Sequence, residues 1–198
     1  MITYQEKLSK HRKYRKLCYI WKDNAGMTKI SQKVDRLSNS IVNRLSGDSF
    51  DTDIIELQTA ELKNLKKGWK FDWTIEFKEA KVYKLVIRSS PDVIQGLISI
   101  EEQEGFIFMR LVETASHNYG SNKVYEGVLG NLVAFACKVS FDKGFSGYVV
   151  FEAKSKLVNH YTKILKAKSI SGTRMYIDKN AAIFLVDTYF KDQNYGIH

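Results

Sequence analysis

The sequence predicts a mixed α/β fold, that is, an α+β arrangement around one central sheet. The sheet's first half is antiparallel and its second half contains a parallel pair. Helices flank it, and a helical extension precedes it. Three observations carry this prediction. Short β-rich runs follow one another between residues 71 and 113. A helical-period segment, 128–143, lies between the β-rich runs 106–113 and 148–152, and such a strand–helix–strand unit is parallel and right-handed. Residues 1–47 hold 11 Lys/Arg and 3 Asp/Glu, which is +8 of the chain's net +9.

That charge step divides the chain into a basic extension, 1–47, and a body, 48–198. In the extension, Tyr4, Leu8, His11, Tyr14, Leu17, Cys18 and Trp21 recur at helical steps. Ile30, Val34, Leu37, Ile41 and Leu45 do the same over 28–45. Gly26 separates the two expected helices, Thr28 is a fair N-cap and Gly47 a stop. Lys10, Arg12, Lys13, Arg15 and Lys16, interleaved with Tyr14 and Tyr19, form a patch that phosphates would attract. A helical pair packing one apolar stripe and solvating its charges accounts for the same residues, and that reading is adopted over nucleic-acid binding.

Within the body, Phe71–Phe77 alternates apolar and polar residues as a half-buried strand does. Val82–Ile87, Asp92–Ile100 and Phe106–Glu113 continue a four-strand meander. Residues 114–127 read as a polar loop. Val128, Leu132, Phe135, Ala136 and Val139 then mark a helix that ends at Gly144 and Gly147. Tyr148–Glu152 is a short strand, Ser155–Leu165 a helix, Thr173–Asp178 a last strand and Lys179–Phe190 a last helix.

Composition excludes several classes. With 44% apolar and 13% aromatic residues the chain can bury a core, so wholesale disorder is excluded. Cys18 and Cys137 are too few and too far apart for a disulfide scaffold, and Cys137 reads as helix packing. No metal cluster is expected from the His/Cys/Asp/Glu spacing. No apolar run reaches the roughly 18–20 residues of a membrane span. The expectation is a soluble cytoplasmic protein without membrane contact.

Four stretches resemble the GCN5-related N-acetyltransferase (GNAT) superfamily, over roughly residues 70–178. Tyr125-Glu126-Gly127-Val128-Leu129-Gly130 is similar to its acyl-CoA loop, with Val128 and Tyr125 standing where Gly and Arg or Gln are usual. Phe141–Gly147 with Tyr148–Glu152 is similar to its helix end and following strand. His160–Leu165 is similar to its Tyr-Glu-Lys-Leu-Gly segment, with Lys166 in the place of Gly, and Arg174–Ile177 to its last strand. The resemblance implies a splayed parallel pair, 106–113 and 148–152, with acyl-CoA wedged between the strands. Backbone amides of 125–130 would hold the pyrophosphate.

The resemblance also implies chemistry. Glu113 stands where a carboxylate base is often placed; otherwise it is a solvated strand end. Tyr161 matches the tyrosine that protonates the leaving thiolate. Lys123 and Lys154 are candidate contacts to CoA phosphates, and His117 a second base or a substrate contact. The resulting expectation is an acyl-CoA-dependent N-acyltransferase, with acetyl-CoA as co-substrate and a primary amine of unknown identity as acceptor. The alternatives are a catalytically lapsed binding module of the same fold and an RNA-directed acetyltransferase that uses the basic N-terminal region. A homodimer is left open.

Overall fold

The turn Asn43–Asp48 shows how the sheet begins. The Asn43 side-chain oxygen accepts from the amides of Leu45 (2.9 Å) and Ser46 (3.2 Å), and Gly47 closes the turn at φ +77°. This joins β1 (Asp35–Asn43) to β2 (Ser49–Glu56) as an antiparallel hairpin. The computed structural model describes residues 35–65 and 68–190. The expected helix 4–21 and the basic cluster at 10–16 lie outside these residues, as do Cys18 and Thr28.

One expectation is overturned by this region: the helix expected over 28–45 is strand β1 in its described part, and residues 47 and 48 lie in the turn that joins β1 to β2. Leu37 and Ile41 are four residues apart, a spacing that suits one helix face and, being even, one strand face as well. Pairing with β2 decides for the strand: Ile41 is buried opposite Phe50, whereas Leu45 is exposed in the turn. Next, residues 73–79 form helix α1 (Trp73–Glu79), not a strand. Asp72 caps it by accepting from the amides of Thr74 and Ile75. A strand would put Trp73, Ile75 and Phe77 on one face. The helix buries Trp73 completely and packs Phe77 beside it, leaving Ile75 59% exposed.

The remaining strands are β3 (Lys81–Ile87), β4 (Ser90–Gln103), β5 (Phe106–Thr114), β6 (Tyr125–Glu126), β7 (Val149–Glu152), β8 (Lys168–Ser171) and β9 (Arg174–Ile177). They form one sheet in the order β6-β1-β2-β3-β4-β5-β7-β9-β8. Among the described residues, only β5 and β7 pair in parallel. Helices α2 (Val128–Asp142), α3 (Val158–Leu165) and α4 (Lys179–Tyr189) complete the fold. A short 3₁₀ turn, Thr59–Leu65, precedes α1. β2, β6 and β8 are additions to the expected elements; the first part of the expected helix 155–165 is a 3₁₀ turn.

Alternation in β3 and β4 divides the core between two faces. Val82 and Leu97 join Leu57, Leu65 and Trp73 under α1. Their neighbours Tyr83 and Gly96 face α2: the Tyr83 ring lies 4.8 Å from Phe135, and a Cβ on Gly96 would come within 2.9 Å of Leu132 Cδ1. Residues 130–140 of α2 are buried without interruption, as in a helix covered on all sides. Among the described residues, no helix is long and apolar enough to cross a membrane.

Candidate active site

The site starts where β5 and β7 part. Their parallel ladder has three pairs: Ile107 with Val149, Phe108 with Val150 and Met109 with Phe151. β5 then runs on through residues 110–114 without β7 beside it. A bulge sits at the branch point. The β4–β5 register steps from Ser99/Leu111 to Ile100/Met109, so Arg110 is an extra residue. Bulges bend a strand and sharpen its twist, which is a local cause for the divergence. Arg110 is held on the α1 face, its Nε 2.8 Å from Glu76 Oε1 and its Nη1 3.2 Å from Glu101 Oε2.

Tyr161, on α3, packs edge-on against Phe151, the last ladder residue of β7, at 5.6 Å between ring centroids. Burial pushes its phenol above the ordinary value, and the nearby Tyr119 adds to that. Below that value Tyr161 keeps its proton and can donate it. Tyr119 lies in the loop after β5, and the Lys70 ammonium sits 3.1 Å from its ring centroid.

The 125–130 segment opens α2. Tyr125 and Glu126 pair with Asn43 and Val42 of β1. Gly127 is the N-cap at φ +89°, a conformation that favours glycine, and a Cβ there would come 2.8 Å from the Ser40 carbonyl oxygen. It offers no side-chain cap, so the amides of Val128, Leu129 and Gly130 have no intrahelical acceptor. Such amides and the helix dipole favour an anion. Val128 is buried and packs towards Gly96; Leu129 is half-buried. Gly130 faces α4: a Cβ there would come 2.1 Å from Tyr189 Oη. Its smallness therefore serves helix packing.

The other candidates separate. Lys123 Nζ lies 3.4 Å from Glu126 Oε1, which Arg44 also approaches at 3.4 Å. Arg44 was not a sequence candidate; its only signal there was its basic charge. Lys154 follows β7, with its ammonium 5.0 Å from the Phe71 ring centroid. His117 Nε2 is 2.9 Å from Gln95 Oε1, and burial lowers its pKa. Cys137 is fully buried, which pushes its thiol pKa up.

Glu113 is not a solvated strand end; it is 8% exposed. One carboxylate oxygen accepts from the Lys70 amide at 2.6 Å. The other accepts from the Phe71 amide at 3.3 Å and Trp73 Nε1 at 2.9 Å. Lys70, Phe71 and Tyr119 were also missed, because contacts across some 40 residues leave no spacing to read. Among the described residues, no group of three or more His, Cys, Asp or Glu could hold a metal ion.

No protein-family model matches the chain. No curated protein matches it either. Among solved structures it is similar to AtaTR bound with AcCoA, at 14% identity over 68% of this chain and 97% of that one, with a TM-score of 0.48. It is also similar to a bacterial toxin (10% identity, 73% and 98% covered, TM-score 0.46). A third is nourseothricin acetyltransferase (12% identity, 73% and 86% covered, TM-score 0.34). The chain's own topology is a mostly antiparallel sheet with one parallel pair that parts beyond a bulge, flanked by helices.

Proposed function

We propose that this protein transfers an acyl group, acetyl first, from acyl-CoA directly to a primary amine. The observation that carries the reading is the parting of β5 from β7 beyond Met109/Phe151, with Tyr161 packed on Phe151. Residues 110–114 of β5 continue beyond the ladder with β7, and an extended pantetheine amide chain would pair along them. The free amides of 128–130 suit the pyrophosphate, and Lys123 and Arg44 lie on the same loop assembly.

The chemistry is an addition and elimination at the thioester carbonyl. A neutral amine attacks the carbonyl carbon, the C–N bond forms, and the C–S bond breaks. The Tyr161 O–H gives its proton to the departing thiolate, and the amine's proton passes through water back to the Tyr161 phenolate, so the products are an amide and CoA thiol. A raised phenol pKa suits this role, because the donor is loaded at neutral pH.

Isothermal calorimetry with acetyl-CoA tests the reading. Saturable binding is expected, and it should persist in Tyr161→Phe. Absence of binding at millimolar acetyl-CoA by the folded protein would overturn it.

A further inference from the structure

We propose that Glu113 is a positioning residue, which pins residues 68–72 as a strap across the gap between β5 and β7. This rests on the acyltransfer reading above.

The hydrogen bonds come first. A general base needs a lone pair turned towards the proton it takes. Both Glu113 oxygens instead receive donors from one short segment: the Lys70 amide on Oε1, and the Phe71 amide and Trp73 indole on Oε2. Burial at 8% exposure leaves little of the carboxylate to water. A buried carboxylate with three N–H donors is a strong anchor, since charge-assisted bonds are shorter and stronger than neutral ones.

What is anchored matters as much. Lys70 and Phe71 are consecutive, and they touch opposite sides of the gap. The Lys70 ammonium lies 3.1 Å from the ring centroid of Tyr119, in the loop that follows β5. The Phe71 ring is 5.0 Å from the ammonium of Lys154, which follows β7. Tyr119 in turn lies near Tyr161, the thiolate's proton donor in the proposed mechanism. The strap therefore spans from one diverging strand's loop to the other's, above the place where the thioester would sit. Glu113 acts on the reaction by holding that cover, which limits the water and the acceptors that reach the thioester.

The two roles give opposite signs in acceptor-free hydrolysis of acetyl-CoA. Glu113→Gln puts an amide N–H₂ where one oxygen accepts, so at least one strap donor loses its partner. As an anchor, its loss should raise hydrolysis several-fold and leave acetyl-CoA affinity unchanged. Hydrogen exchange should rise in the peptide covering 68–75 and stay level elsewhere. If Glu113 were the base that activates the nucleophile, the same change would lower hydrolysis by about 10²-fold or more, with the strap still protected. That result, or unchanged exchange in 68–75, overturns the proposal. Trp73→Phe deletes one donor and keeps the carboxylate. It should raise exchange and hydrolysis by a smaller factor, and it serves where Glu113→Gln fails to fold. If the parent binds no acetyl-CoA, the acyltransfer reading fails, and the exchange measurement still decides whether Glu113 holds the strap.

Discussion

Against α2, the sheet has no room for a methyl group. A Cβ on Gly96 would sit 2.9 Å from Leu132 Cδ1 and 3.0 Å from Val128 Cγ1, and α2 itself is just as tight against Tyr189 of α4. On the opposite face, under α1, apolar contact is joined by charge. Arg110 bridges Glu76 and Glu101, Ser99 donates to Glu76 at 2.7 Å, and Glu113 gathers three N–H groups. The difference is one of tolerance. The α2 face should be sensitive to volume and indifferent to salt. The α1 face should yield to charge changes and to ionic strength. The segment 70–73 is held on the charged side of this division by hydrogen bonds to Glu113, without being part of the close-packed α2 face.

The comparison breaks most visibly at Gly130. Gly130→Glu puts volume and a buried charge against Tyr189, and it should cost upwards of about 3 kcal/mol or abolish soluble expression. Denaturant unfolding checks this. Gly130→Ala is the milder form, and Tyr189→Leu should recover part of its loss; strict additivity would show that the two residues do not meet.

Next in size is Tyr161→Phe, which keeps the ring on Phe151 and removes the proton donor. It should lower kcat by about 10²–10⁴-fold with acetyl-CoA affinity unchanged. The pH dependence has a definite sign. A phenol raised above its ordinary value near 10 stays protonated as pH climbs, so the parent's kcat should hold to about pH 10 and fall beyond it. Kinetics across pH would show whether that alkaline limb belongs to Tyr161. Equal kcat in mutant and parent, with chemistry rate-limiting, removes Tyr161 from the mechanism.

Arg110→Met keeps the stem and removes the charge between Glu76 and Glu101. It should destabilise by about 1–3 kcal/mol at low salt, and the difference should shrink as salt rises. A salt-independent loss would mean that the α1 face also works mainly by volume.

The smallest expected effect is a gain. Lys166 caps α3 at φ +55°, a left-handed position that is strained for a residue with a Cβ. Lys166→Gly should raise stability by about 0.5–1 kcal/mol, as a modest shift in Tm.

Much of the fold could be read because most elements carry a pattern of only one period. β3, β4, β5, α2, β7 and α4 fall where the sequence places them. The two exchanges, a strand for a helix at 35–43 and a helix for a strand at 73–79, arise where a spacing of four serves both periods: Leu37/Ile41 and Trp73/Phe77. β2 carries a readable alternation, with Thr52 and Ile54 buried. β8, Lys-Ser-Ile-Ser, is exposed along its length and leaves no burial pattern to detect. In the candidate site, the helix that carries Tyr161 and the helix start at Gly127/Val128 were legible from local order. The strap was not, because what fixes Lys70 and Phe71 is a carboxylate 43 and 42 residues away.

The three-pair ladder between β5 and β7 also bears on the lifetime of the folded state. Its pairing closes over a long crossover, so it carries a larger loop-closure cost than any hairpin in the meander and should form late. Contacts made late on the way in are lost early on the way out, and they govern the unfolding rate. A co-substrate seated as proposed, where the strands part and at the start of α2, would add bonds to this seam in the folded state. On the proposed function, acetyl-CoA should therefore slow unfolding rather than speed folding, and protein kept supplied with it would outlast its empty form under proteolysis or heat.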